Sequence, residues 1–140
     1  MVRRGQEYTW DDFPPRKDAG GWHCRYCKVV LTGRKTAWCS KECLKEVRLL
    51  CDWNYIRGRT RRRDKWKCQM PLPEGGLCGK YASDVDHIVE LADGGSFHDP
   101  ANLRSLCETC HKAKTQMTRK ARAERRKAAK NPVKIDEEAL

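Results

Sequence analysis

The chain has 140 residues, a net charge of +11 from 30 Lys and Arg against 19 Asp and Glu, and only 22 Leu, Ile, Val and Phe. That is room for one domain or two very small ones, with too few apolar side chains for an ordinary core, and no run long or apolar enough to span a bilayer. The basic excess points to a polyanionic partner, and nine cysteines must supply what the core lacks.

Residues 1–20 show no sustained periodicity, and "PPRKDAGG" reads as a flexible lead-in that Tyr8, Trp10 and Phe13 can tack to the surface. No apolar run of seven or more residues marks a secretory signal, so the expected setting is a reducing compartment, cytoplasmic or nuclear. There, clustered thiols are better read as zinc ligands than as disulfides.

Residues 21–58 predict the first folded unit. "CRYC" forms a knuckle, "KVVLTGRKTAW" a short hairpin turning at Thr32-Gly33, and "CSKECLKEVRLLCDWNYI" one helix that stops near Gly58. Cys39 and Cys43 are four apart and share a helix face, so they can close a tetrahedral site with Cys24 and Cys27. Knuckle, hairpin and helix make a treble-clef-like finger. Leu44, Val47, Leu50 and Cys51 recur at helical spacing, which makes Cys51 a buried apolar thiol and not a ligand. His23 beside the knuckle is read as a bystander.

Next comes "RGRTRRRDKWK", seven basic residues and one acid, in which Arg57, Arg59, Arg61, Arg62, Arg63, Lys65 and Lys67 are candidate phosphate contacts. The second unit, residues 59–118, opens with Cys68 and Cys78 bracketing the turn-rich "QMPLPEGGL" and closes with Cys107 and Cys110 in "CETC". These four form a second structural Zn2+ site. Structural zinc contributes about 10–16 kcal/mol in small fingers, comparable with the whole stability of a domain.

Between and just past these cysteines runs "DVDHIVELADGGSFHDPANLRSLCETCHKAKT". Residues 66 to 115 resemble the HNH endonucleases, whose motif reads approximately acidic-x-Asp-His-Ile, a Gly-Gly loop, Asn-Leu, then Leu-Cys-x2-Cys-His and often Lys-Thr. The four-cysteine unit upstream resembles an amino-terminal extension of some HNH nucleases. The resemblance implies a small α+β zinc-stabilised fold with a ββα-metal nuclease domain, cleavage of DNA, and products with 5′-phosphate and 3′-hydroxyl ends. It implies that Asn102 orients the loop and thereby the base.

Elementary chemistry supports the same division of labour. Phosphodiester hydrolysis needs a base for water and a cation for the developing charge. His87 suits the base, while Asp86 and His111 supply oxygen and nitrogen ligands to one divalent ion, Mg2+ or Mn2+, with positions left open. Cys110 and His111 are adjacent, about 100° apart on a helix, so one turn can serve two metals. A regular strand would point Asp86 and His87 to opposite faces, so the strand is expected to twist or end there. Asp84 is either a supporting ligand or a brace, and His98 is read as non-catalytic. The runner-up function is a non-catalytic zinc module that binds nucleic acid.

Residues 119–140 are expected to be a basic helical tail with an acidic end, "PVKIDEEAL". Ala113, Met117 and Ala121 form a thin apolar stripe on that helix, and Lys112 and Lys114 join the candidate phosphate contacts.

Overall fold

A computed structural model describes residues 6–131. The expectations for residues 1–5 and for the acidic end at 132–140 lie outside the described residues.

The lead-in is more regular than its composition suggests. Thr9 caps a 3-10 turn at Trp10–Asp12 in a reciprocal capping box with Asp12. Strand β1 (Arg16–Asp18) then pairs antiparallel with β2 (Gly21–His23). The hairpin of the first unit is therefore this one. The expected hairpin at residues 28–38 reduces to a single bridge between Val30 and His23. Asp18 and the two glycines after Ala19 form the turn: the Asp18 carboxylate accepts from Gly20 N, and Gly21 sits at φ 111°, a region that favours glycine.

The expected single helix is two. Helix α1 (Lys41–Cys51) starts at Ser40, whose side chain accepts from Cys43 N, and α2 (Trp53–Arg63) follows after one residue. Asp52 ends the first and caps the second: its backbone N–H bonds Arg48 O and its carboxylate accepts from Tyr55 N. Gly58 is not a stop but lies inside α2, which also runs through the boundary expected at 58/59.

Strand β3 (Asp84–His87) pairs antiparallel with β4 (Leu103–Leu106), and α3 (Glu108–Lys130) follows directly. Helix α3 is continuous through the expected boundary at 118/119.

Among the described residues, most buried apolar side chains fall in three small clusters. Phe13, Val47 and Cys51 form one, with Trp38 and Leu50 against them. Ile56, Phe97 and Leu103 form another with Trp53, Val85 and Leu91. The third is Cys68, Ala82, Leu106 and Cys107. At about 1.5–3 kcal/mol for each large apolar side chain buried, so few residues give a modest driving force, which is why the thiol clusters matter.

Candidate functional site

Two groups of four thiols converge, with all sulfurs of each group within 4.8 Å of one another: Cys24, Cys27, Cys39 and Cys43, and Cys68, Cys78, Cys107 and Cys110. Both sets match the expected ligands. Their ionisation shows why a cation belongs there. In the first group burial opposes ionisation of Cys24, but backbone N–H groups from Cys39, Cys27 and Tyr26 outweigh it and bring its thiol down to about 6. Cys43, facing the Cys39 thiol, is driven up to about 12. In the second group Cys107 falls to about 7 under the Cys110 N–H, and burial beside the other thiols lifts Cys110 to about 12. Four thiolates this close cannot all ionise without a counter-charge, which a tetrahedral zinc ion would supply.

Cys51 stands apart, buried, with its thiol donating to Val47 O at 3.1 Å and pushed up to about 11 by burial. His23 lies outside the ligand sets, bonded to Asp18 at 2.8 Å and to the Lys28 carbonyl at 3.0 Å.

The second cysteine group is woven through β3, β4 and α3. Cys107 precedes α3 and Cys110 lies in its first turn, so the same turn presents His111 to the strand pair. His111 Nδ1 meets the Asp84 carboxylate at 2.9 Å, with both side chains half-buried. Two residues along β3, Asp86 shares the Asp84 face and is ion-paired to Lys114, one helical turn beyond His111. Lys114 also donates to the His87 carbonyl and to Glu90, the latter at 2.8 Å. The structure thus sets two rungs between β3 and α3, Asp84–His111 and Asp86–Lys114. It does not pair Asp86 with His111 directly.

His87 is on the other face of β3. Its ring stacks on Trp53 at 5.3 Å and lies 5.9 Å from Phe97. Side-chain alternation holds to the last strand residue, and the strand ends at His87, as one of the two expected outcomes. Nε2 lies 2.9 Å from the Phe97 carbonyl. A carbonyl only accepts, so Nε2 carries a proton, and the nitrogen able to offer a lone pair is Nδ1.

Asn102 holds the intervening loop. Its Oδ1 accepts from Val89 N at 2.8 Å, and its Nδ2 donates to Val89 O at 3.0 Å and Ser96 O at 2.9 Å. Gly95 makes that closure possible, because a Cβ there would stand 1.9 Å from the Val89 carbonyl oxygen. Phe97, which presents the carbonyl to His87, follows directly after this braced segment.

The candidate phosphate contacts divide. Arg57, Arg59, Arg62, Lys65, Lys67 and Lys112 are exposed, Arg59 lying over the Tyr55 ring at 5.9 Å and Lys112 ion-paired with Glu108. Arg61 bonds Ser83 O at 3.2 Å and lies over Trp66. Arg63 is committed to the Leu103 and Pro100 carbonyls at 2.6 and 2.7 Å and to Asp64. Lys114 is the clearest correction: it is a largely buried cation whose three donors are taken by Asp86, Glu90 and the His87 carbonyl, and it does not face solvent as a phosphate contact. His98 lines a cavity of about 150 Å3 with Leu49, Ile56 and Thr60, away from the two rungs.

The family model for HNH endonuclease matches residues 68–117. Over 91 residues the chain is 34% identical to a "Probable HNH endonuclease" of Lactococcus phage SK1, covering 61% of this chain and 83% of that protein. The chain belongs to the HNH endonuclease family. No solved structure matches it. Membership gives the HNH chain a nucleic acid as its class of substrate and a divalent metal as its cofactor. No described helix is long and apolar enough to cross a membrane.

Within the HNH segment, sequence reasoning missed two things. The Asp84–His111 contact follows from Asp84 and Asp86 sharing one strand face, a period-2 signal already present in "DVDH". The inward turn of Lys114 had a signal too, its i+3 spacing from His111, which the surrounding basic run masked.

Proposed function

We propose that the protein hydrolyses DNA phosphodiester bonds, with His87 as the general base. The observation that carries this reading is the hydrogen bond of His87 Nε2 to the Phe97 carbonyl, which leaves Nδ1 with a lone pair and no partner among the described residues. His87 Nδ1 takes a proton from water as the water oxygen bonds to phosphorus, the bond to O3′ breaks, and the leaving oxygen is protonated from solvent. Trp53 and Phe97 fix the imidazole plane, and Asn102 fixes the loop that presents Phe97.

The residues opposite α3 suit a divalent ion. An imidazole nitrogen and a carboxylate already meet at His111 and Asp84, half open to water, and Asp86 faces the same side. His111 and Asp86 would hold Mg2+ or Mn2+, with Asp84 beside them, and the ion would stabilise charge on the phosphate. Lys114 holds Asp86 oriented and neutralised, and a metal at that carboxylate would have to compete with this ion pair. Exposed basic residues of α2 supply contacts to the backbone, which set register without reading sequence.

Supercoiled plasmid incubated with zinc-loaded protein should be nicked or linearised when Mg2+ or Mn2+ is added and remain intact without it. Binding of the plasmid with no strand cleavage under either metal would replace this reading with that of a non-catalytic nucleic-acid-binding zinc protein.

A further inference from the structure

One exposed feature is not used by this chemistry. Trp66 and Tyr81 lie with ring planes 4° apart and centroids at 6.1 Å, an offset parallel stack, yet they remain 40% and 69% exposed. A pair of large rings left this open is unusual in a chain so short of apolar residues. The backbone is held in a costly shape to place it: Lys65 and Trp66 take φ of 54° and 58°, consecutive left-handed residues without a glycine. Trp66 N bonds back to Arg61 O at 2.9 Å, and Trp66 O accepts from Ala82 N at 2.9 Å, so the ring pair is anchored at both ends.

The surroundings are cationic. Lys65 and Lys67 flank Trp66 in the chain, Lys80 precedes Tyr81, and all three are exposed. The Arg61 guanidinium lies over the Trp66 ring at 4.8 Å. Parallel rings among exposed cations are what a nucleobase and its phosphate require: a π-face to stack on and charge beside it. Asp84 lies three steps along the chain from Tyr81, so their Cα atoms are within about 11 Å. That places the rings within a few nucleotides of the His111 rung.

We propose that Trp66 and Tyr81 form a stacking platform for an unpaired nucleobase, so that the enzyme engages DNA whose strand is locally open beside the cleavage site. This rests on the reading of the protein as a DNA nuclease and names the form of DNA it takes. A base inside an intact duplex has both faces covered by its neighbours and cannot use the platform, whereas a base in a gap, overhang or single strand can.

The test is equilibrium binding by fluorescence anisotropy, using full-length zinc-loaded protein with His87→Ala and no added divalent metal. The probes are a labelled single strand, the same strand in a blunt duplex, and the same strand with abasic sites replacing a run of bases. The single strand should bind more tightly than the other two, and Tyr81→Ala should weaken it on the order of tenfold, to the level of the abasic strand. Tyr81→Phe, which keeps the ring, should restore the affinity. Tyr81 is well exposed, so its removal spares the buried clusters, and zinc content verifies this. Equal binding of intact and abasic strands, or no change with Tyr81→Ala, overturns the platform and leaves the exposed rings to a protein contact. Plasmid cleavage by the wild type is scored separately, so loss of the nuclease reading and loss of the platform are distinguishable.

Discussion

The two four-cysteine units use the same device for different ends. In the second, the candidate ligands Cys107 and Cys110 bracket the start of α3, and His111 is the next residue, so a zinc ion held there would also place the proposed site. In the first, Cys24, Cys27, Cys39 and Cys43 adjoin none of the proposed site residues in the chain. They connect to them through α1, the Asp52 joint and Trp53, which stacks on the ring of His87. A metal ligand one residue from a catalytic group leaves no slack between them. One that acts through two helices braces the site and leaves its donors in place.

The sharpest way to break this contrast is to remove one ligand from each unit. Cys110→Ser should reduce the zinc content from two ions to one per chain and abolish plasmid cleavage. Cys27→Ser should also lose one ion but keep measurable cleavage, because the second unit still closes. Elemental analysis with a cleavage assay decides it, and equal loss of activity in the two variants would sink the distinction. Fewer than two zinc ions in the wild type would remove the account of how so apolar-poor a chain folds.

His87→Ala comes next in size. Loss of a general base costs roughly a hundred- to ten-thousand-fold in rate, and here both zinc ions and DNA affinity should survive. Gly95→Ala probes the loop that presents the Phe97 carbonyl. The added Cβ collides with the Val89 carbonyl, so the loop must reopen at a cost of about 2 kcal/mol or more, read as a lower Tm together with reduced cleavage.

Trp53→Ala tests one contact by which the first unit can act on His87, the stack of the two rings. It should lower kcat more than Trp53→Phe does, since Phe retains a ring against His87. If both variants behave alike, stacking on His87 is not what the first unit contributes.

The smallest expected effect concerns pH. Burial would raise the Glu90 carboxyl, but the Lys114 hydrogen bond and charge, with Arg122 and His87, outweigh it and hold it below its ordinary 4.5. A carboxyl lowered in the folded state stabilises fully above about pH 4.5 and loses that contribution as pH falls through its folded value. Thermal melts from pH 6 to pH 3 should therefore be less pH-dependent for Glu90→Gln than for the wild type, with Asp64, also held low although burial opposes it, accounting for part of the remaining slope.

Much of the site is legible in the chain because metal chemistry imposes spacing. C-x2-C pairs, the four-residue step from Cys39 to Cys43 and the adjacency of Cys110 and His111 can each be read from the order of residues alone. What is not legible has a physical reason in each case. The break at Asp52 hides because the apolar stripe of α1 runs into the aromatic start of α2 with only one residue between. A capping carboxylate is also an ordinary helix-surface residue until its hydrogen bonds are seen. The β1–β2 hairpin was concealed by the prolines before it, although "DAGG" is itself a turn. Lys114 looked like its basic neighbours because charge counting does not record which way a side chain faces.

The first two turns of α3 impose a last constraint, on insertions and deletions. Cys110, His111 and Lys114 face the second thiol cluster, Asp84 and Asp86 from a single helix, so their assignments are angular. Adding one residue between Cys107 and Cys110 would turn everything after it by about 100°, swinging at least one of the three away from its partner without altering its chemical identity. The tip of the loop between Cys68 and Cys78, beyond the Pro71–Leu77 bridge, carries no such phase and can vary in length at little cost. Tolerance to length change in this protein should therefore be sharply uneven, near zero over 107–114 and generous over 73–75, a contrast that an insertion scan scored for cleavage would display residue by residue.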